Sequence, residues 1–205
     1  MALVDLCYRC PQCGHDPMSG EGDVAWCASC GVRIERSRGR LLLSLPGGDR
    51  RFDVSALDLC RRIEEHGGPI TRATRDGGAL EYQARARVSW QLSERAVRYR
   101  GVLRGFAESM GPAAQGTITV DRERVHVECG DRRAGSWRHL DLRAVQASSS
   151  SLQLSLPGDQ LVQLRFLDDS PRRWETLMRR LITDAYERAG RGRVVEFQPR
   201  IVTRW

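Results

Sequence analysis

The chain is 205 residues long, a length that suits one large domain or two small ones. Its hydrophobic fraction of 40% excludes a mainly disordered chain, and no apolar stretch approaches the roughly 20 residues of a membrane-spanning helix. Because no leader with a charged start and an apolar stretch opens the sequence, we expect a cytoplasmic protein that can also work peripherally at a membrane face.

The chain is basic, with a formal net charge of +7 at neutral pH. Basic surfaces attract nucleic acids and anionic membranes through long-range Coulomb forces. All 33 basic residues are arginines, however, and the chain contains neither lysine nor asparagine. This usage is typical of a GC-rich genome. The net charge alone therefore leaves nucleic acid and anionic membrane as alternatives and establishes neither.

The first chemical motif is a pair of Cys-x-x-Cys sequences, each followed by glycine. Two residues between cysteines allow both thiolates to reach one ion, and the glycine permits the tight backbone that this requires. Four thiolates complete a tetrahedral shell without an open position for a catalytic water. We therefore predict one structural zinc ion per chain. Its predicted ligands are Cys10, Cys13, Cys27 and Cys30.

The other cysteines and a nearby histidine are weaker candidates for metal ligands. A Cys-x-x-Cys sequence can be a redox dithiol, but a redox site needs only one such pair. His15 adjoins the first pair and could replace a ligand, although four cysteines already complete the shell. We expect Cys7, Cys60 and Cys129 to be small buried side chains rather than ligands.

The two cysteine motifs resemble the knuckles of the zinc-ribbon family. The resemblance rests on Cys10–Gly14, which reads Cys-Pro-Gln-Cys-Gly, and on Trp26–Gly31, which reads Trp-Cys-Ala-Ser-Cys-Gly. It implies a fold rather than a function, because ribbons occur in nucleic-acid machines, enzymes and adaptors alike. We expect the ribbon to fold independently, so that loss of Cys10 unfolds it and spares a distant C-terminal domain.

Two strands and a helix are predicted after the second cysteine pair. The strands cover Arg40–Leu45 and Arg51–Val54, with a proline-glycine turn between them. Ser55 is a suitable N-cap for a short helix, which ends at the Gly-Gly-Pro sequence that begins at Gly67. We therefore expect a first domain over residues 1–68 and a linker or variable segment over 69–94.

Alternating apolar residues in the second half predict seven short strands followed by one helix. The predicted strands are Arg98–Glu108, segments around Ile118–Val120 and Val125–Val127, Ser136–His139, Leu142–Ala147, Leu152–Leu156 and Leu161–Phe166. The sequence Asp-Ser-Pro opens the helix, which runs from about Pro171 to Ala189. Its apolar stripe, which we expect to be core, comprises Trp174, Leu177, Met178, Leu181 and Ile182. The tail 190–205 has no assignable period.

This order of elements resembles the pleckstrin-homology superfold over residues 95–189. The resemblance implies a seven-stranded, partly open barrel capped by the C-terminal helix, and with the ribbon a mainly β protein with some α. In lipid-binding members, basic residues on the first two strands hold inositol phosphates, and Arg98, Arg100 and Arg104 lie on the presumed first strand. The following loop, Glu108–Gly116, has no basic residue, which favours the fold's other use, protein binding.

No catalytic motif is recognisable in the sequence. The four histidines fit no nucleophile or metal-hydrolase pattern, and no phosphate-binding glycine loop is present. We therefore expect a non-enzymatic adaptor that binds a partner protein through ribbon and barrel surfaces, with no small-molecule substrate. The second alternative is a nucleic-acid-binding factor that uses the ribbon, the arginines and the stacking side chains Trp26 and Tyr8. An anionic-lipid-targeting module is the third.

Overall fold

The computed structural model describes residues 2–48, 50–66, 82–130, 135–148, 150–158 and 160–192. Across these residues the fold is mainly β, with three α-helices. An N-terminal sheet carries the cysteine motifs, and a larger C-terminal sheet curls into a half-barrel followed by a C-terminal helix. None of the described helices is long and apolar enough to cross a membrane.

The N-terminal part is a five-stranded antiparallel meander with a helix at each end. Its elements are α1 (Leu3–Leu6), β1 (Ser19–Glu21), β2 (Val24–Trp26), β3 (Arg33–Ser37), β4 (Arg40–Ser44), β5 (Arg51–Val54) and α2 (Ala56–Glu65). The predicted strands and helix of this region correspond to β4, β5 and α2. The Asp58 N–H donates to the Ser55 side chain at 3.0 Å, as expected of an N-cap.

One face of the meander is apolar and forms the N-terminal core. Ala25, Ile34 and Leu43 lie opposite one another on adjacent strands, and all three are buried. Leu59 and Ile63 of α2 belong to the same buried cluster. This core holds the connection between β2 and β3, which contains the second cysteine pair.

The C-terminal part is built around one long strand. Its elements are β6 (Tyr82–Tyr99), β7 (Val102–Met110), β8 (Ala114–Val120), β9 (Arg124–Cys129), β10 (Gly135–Arg138), β11 (Ala144–Ala147), β12 (Leu152–Leu156), β13 (Gln160–Phe166) and α3 (Pro171–Arg188). The antiparallel sheet has the order β10-β9-β8-β6-β13-β12-β11, and β7 pairs with β6 off this path. The first half of β6 thus lies in the half-barrel, while its second half pairs with β7 alone.

The start of the C-terminal part differs from the prediction. Residues 82–94, which the composition assigns to a linker, form the greater part of β6, from its first residue onward. Tyr82, Ala84, Ala86 and Val88 alternate with polar residues and are buried, so the strand period is present in the sequence and the linker prediction missed it. Residues 69–81 of the predicted linker lie outside the described residues.

The prediction of a single strand over Arg98–Glu108 is also wrong, because the chain reverses within it. Arg100 and Gly101 have left-handed φ angles of +49° and +79°, as two-residue hairpin turns require. Strand β7 then returns along the second half of β6. Arginine is an unusual residue in such a turn, so the sequence carried no standard turn signal.

Helix α3 covers the half-barrel with its apolar stripe. Trp174, Leu177 and Met178 are buried, and Leu181 and Ile182 are partly buried against the same core. The helix packs on β11, β12 and a short 3-10 turn over residues 139–141. Of the predicted tail, residues 193–205 lie outside the described residues.

The N-terminal part contacts the first turn of α3. The Ser170 hydroxyl donates to the Asp5 carbonyl, and Arg172 Nη2 donates to Glu64 Oε1 at 2.6 Å. Asp16 pairs with the guanidinium of Arg173. The half-barrel is therefore in direct contact with the cysteine-bearing part, and the expectation of a distant C-terminal domain is corrected.

Candidate metal centre

The four cysteines of the two motifs meet at one point. Their sulfur atoms all lie within 4.8 Å of one another. The Cys10 and Cys30 sulfurs are 3.5 Å apart and the Cys13 and Cys27 sulfurs 3.6 Å apart, so each close pair joins the two motifs. A tetrahedral shell with metal–sulfur distances of about 2.3 Å places the sulfurs roughly 3.8 Å apart. The cluster therefore fits four-sulfur coordination of one metal ion.

The two Cys-x-x-Cys-Gly loops have the same backbone hydrogen bonds. The N–H of Gly14 donates to the Cys10 carbonyl at 3.0 Å, and that of Gly31 donates to the Cys27 carbonyl at 2.9 Å. In both loops the first cysteine N–H donates to the carbonyl five residues later at 2.8 Å. Two separate segments thus present equivalent loops, with their sulfurs facing a common centre.

The backbone conformation and the close neighbours after each cysteine pair require a glycine. Gly14 and Gly31 have φ angles of +73° and +74°, in the left-handed region that side chains disfavour. A Cβ at Gly14 would lie 3.2 Å from the Cβ of His66, and one at Gly31 would lie 3.2 Å from the Cβ of Pro46. Both loops are therefore closed against neighbouring side chains.

The four cysteine sites differ in how strongly they stabilise a negatively charged thiolate. A hydrogen bond from the His15 backbone N–H lowers the pKa of the Cys13 thiol to about 7. Burial raises the pKa values of Cys10 and Cys30, although the Gln12 N–H donates to the Cys10 sulfur at 3.4 Å. A bound cation would supply the positive charge that stabilises these thiolates.

Two side chains outside the motifs support the first loop. His66, at the end of α2, has its Nε2 atom 2.9 Å from the Pro11 carbonyl oxygen. Arg9 donates to the His66 carbonyl at 3.4 Å, and its guanidinium lies 3.6 Å from the Asp16 carboxylate. The sequence pattern does not identify these supports, because segments more than fifty residues apart meet only in the folded chain.

The remaining candidate ligands lie outside the sulfur cluster. Cys7 and Cys129 are buried and Cys60 is half-buried. Burial raises the pKa of the Cys7 thiol to about 12, which keeps that group protonated and neutral. The His15 side chain is exposed, and its contribution to the loop comes from its backbone.

The arginines proposed as anion or lipid contacts lie at the tip of a hairpin arm, which we define as residues 91–110. Arg98 is the penultimate residue of β6 and donates to the Gly101 carbonyl at 3.2 Å, whereas Arg100 is in the turn and Arg104 is on β7. The guanidinium carbons of Arg100 and Arg104 lie 5.3 and 5.7 Å from the centre of the Tyr99 ring. The two thus converge on an aromatic ring.

The hairpin arm carries much of the exposed apolar surface of the described residues. Of the eleven large hydrophobic side chains that are exposed, six lie on it. They are Leu92, Val97, Tyr99, Val102, Leu103 and Phe106. Beyond its base, neither long edge of the arm pairs with another described strand.

The two aromatic side chains considered for base stacking differ in accessibility. Tyr8 is buried, and its ring lies 5.3 Å from the guanidinium carbon of Arg173. Trp26 is partly exposed on β2. Only Trp26 could therefore reach a nucleic acid without unfolding.

The described residues thus offer a four-thiolate cluster and an exposed arm. Four sulfur ligands fill a tetrahedral shell and leave no position for a reacting water. The sequence matches no model of a known protein family and no curated protein. The cluster could bind a metal ion, and the arm is the second feature from which a function can be argued.

Proposed function

We propose that the protein is a non-enzymatic, zinc-containing adaptor of the cytoplasm that binds another protein. A tetrahedral set of four cysteine thiolates is typical of structural zinc, and iron is the other metal such a site can take. The meander with two cysteine loops supports a zinc-ribbon assignment. The curled sheet and its covering C-terminal helix support a pleckstrin-homology-like assignment.

One observation carries the adaptor function, namely the face of the hairpin arm that we call the tyrosine face. It consists of Val97, Tyr99, Val102 and Arg104. Tyr99 and Val102 are directly opposite each other, and both are more than half exposed. Contiguous exposed apolar groups mark interaction sites, and tyrosine and arginine are enriched where proteins bind each other.

The tip composition also supports nucleic acid as a second candidate partner. Residues 95–107 contain four arginines and no acidic residue, and the major groove admits a two-stranded β-ribbon. An anionic lipid surface is the third candidate, for the same electrostatic reason. We rank protein first because aliphatic side chains such as Val97 and Val102 gain free energy from apolar contact, which phosphate groups do not provide.

Affinity purification from the native host tests the adaptor function. We expect the wild-type chain to capture a defined protein that the double variant Tyr99→Ser/Val102→Ser does not capture. Leu57→Ser is the matched control, because Leu57 is exposed on α2, away from the arm. The captured protein, purified separately, should bind the wild-type chain directly. Equal capture by all three proteins would contradict a role for the tyrosine face.

Nuclease treatment and a salt titration separate the candidates. Protein contacts that bury apolar side chains should survive nuclease and weaken only modestly with salt. Binding to phosphates falls steeply as salt rises, because bound counterions are released. Loss of capture after nuclease treatment would favour the nucleic-acid candidate. Retention on anionic liposomes at physiological salt, with selectivity for one headgroup, would favour lipid.

A further inference from the structure

The side of the hairpin arm opposite the tyrosine face has an unusual charge pattern. Three register pairs form this Glu–Arg face, Glu94 with Glu108, Ala96 with Phe106 and Arg98 with Leu103. Opposite residues of an antiparallel pair project to the same side, and the alternate β6 residues Glu94, Ala96 and Arg98 share a face. A register shift between Val97 and Arg98 leaves one extra residue on β7 between the last two pairs. All six side chains of the Glu–Arg face are exposed. From the base of the arm to its tip, the face therefore carries an acidic pair, then an apolar pair, and then a pair that contains Arg98.

The acidic end is unfavourable in a single chain. Like charges directly opposite each other on antiparallel strands repel. Neither Glu94 nor Glu108 has an ion-pair or hydrogen-bond partner among the residues that the structure describes. Arg98, at the other end, is bound only to the Gly101 carbonyl, at 3.2 Å, and forms no described ion pair. Two carboxylates and one guanidinium thus face solvent without counter-charges.

The pattern is complementary to itself. The acidic pair lies two residues to one side of Ala96 and Arg98 lies two residues to the other side. A two-fold axis that lies between two stacked ribbons, parallel to their faces and across the strands at the Ala96–Phe106 pair, exchanges the two ends. It would place Arg98 of each copy over Glu94 of the other and beside Glu108, with the Phe106 rings meeting near the axis. This is the isologous arrangement of a two-fold dimer.

We propose that a second copy of this chain occupies the Glu–Arg face, so that two hairpin arms pack face to face and antiparallel. A nucleic acid or an anionic membrane on this face would meet the two unpaired carboxylates. A uniformly basic partner would be repelled by Arg98. The second copy satisfies both ends at once and covers the exposed Phe106. This proposal is independent of the adaptor function, which uses the opposite face of the arm.

Sedimentation velocity of the full-length, metal-loaded chain tests the dimer at low salt. The variant Arg98→Glu and the double variant Glu94→Arg/Glu108→Arg should each be largely monomeric. Since two-fold symmetry repeats every contact, each reversal should raise the dimer dissociation constant at least about tenfold. An equimolar mixture of the two should associate as a heterodimer, and the triple variant with all three reversals should dimerise again.

Two further variants keep the test decisive. Arg104→Glu, on the tyrosine face, should leave the dimer unchanged, whereas Phe106→Ser should weaken it without altering charge. Metal content and circular dichroism show whether each variant is folded. A wild-type chain that stays monomeric at about 200 µM would overturn the proposal and leave the face to another partner. A dimer that persists in Arg98→Glu, or folded variants that fail to associate when mixed, would overturn it as well.

Discussion

Arg173 and Asp16 form an ion pair between helix α3 and the loop that follows the first cysteine pair. Arg173 also donates to the Tyr82 hydroxyl at 2.9 Å and lies 3.3 Å from the Asp169 carboxylate. Only 8% of its side chain is exposed, so the guanidinium is a buried junction between the two parts of the protein. The cysteine-bearing part and the half-barrel are thus joined by an ion pair as well as by packing.

Replacement of Arg173 by methionine should reduce the free energy of unfolding by about 3–5 kcal/mol, because Asp16 and Asp169 would lose their buried partner. Urea denaturation followed by tryptophan fluorescence measures the change. Arg104→Met, at the exposed tip of the hairpin arm, is the control and should change stability by less than about 0.5 kcal/mol. Similar small losses in both variants would show that the junction contributes little.

The cysteine cluster was predictable because its information is local. Each Cys-x-x-Cys-Gly loop is specified within five residues, including the glycine that must adopt a left-handed conformation. The helix residues Trp174, Leu177 and Met178 were likewise predictable, since a period of 3.6 marks one buried face. Short-range patterns of this kind do not depend on the rest of the fold.

The arm and the junction depend on relations that a single sequence does not display. The reversal at Arg100–Gly101 lacks the Asn-Gly or Asp-Gly pair that usually signals a hairpin turn. The contact between Arg173 and Asp16 joins positions 157 residues apart, and nothing in either segment indicates the other. The pairing of these distant charged residues is therefore visible only in the folded structure.

Loss of a metal ligand should increase local unfolding beyond the N-terminal part as well as within it. We expect Cys10→Ser to lose its metal and to increase hydrogen exchange in the cysteine loops and in the first turn of α3, since Asp16 and Asp5 contact that turn. Hydrogen exchange with mass spectrometry measures both regions. Cys60→Ser is the control and should retain the metal. Unchanged exchange in α3 would restore the expectation of independent domains.

Trp174 is the largest fully buried side chain of the described residues. Its ring lies between Tyr82 and Phe166, with ring centres 5.1 and 5.2 Å away, and its indole N–H donates to Asp169 at 3.0 Å. Trp174→Ala should therefore cost about 3–5 kcal/mol in chemical denaturation. Trp174→Phe retains most of the contact area and should cost less. A loss below about 1 kcal/mol for alanine would contradict a core role.

His139 should make stability depend on pH. Its Nε2 atom is 2.9 Å from the Asp121 carbonyl oxygen, its Nδ1 atom is buried without a described partner, and burial lowers its pKa below 6.5. The unfolded chain therefore binds a proton first as the pH falls. This contribution to stability is complete above about pH 6.5 and is lost as the pH falls toward the folded-state pKa.

Urea denaturation at a series of pH values between about 7.5 and 5 measures this effect. The wild-type chain should lose stability over the range, and His139→Gln should lose less, because the amide can donate to the Asp121 carbonyl and does not titrate. Far-ultraviolet circular dichroism before denaturation serves as the folding control. Parallel curves for the two proteins would contradict a role for His139.

Metal content of the purified full-length chain tests the central claim most directly. Elemental analysis against protein concentration, on material expressed without added metal and freed of loosely bound ions, should give one zinc per chain. Cys10→Ser, Cys13→Ser, Cys27→Ser and Cys30→Ser should each bind little or none, while Cys60→Ser should bind one. A wild-type chain with well under one zinc, or with iron in its place, would contradict the structural zinc site.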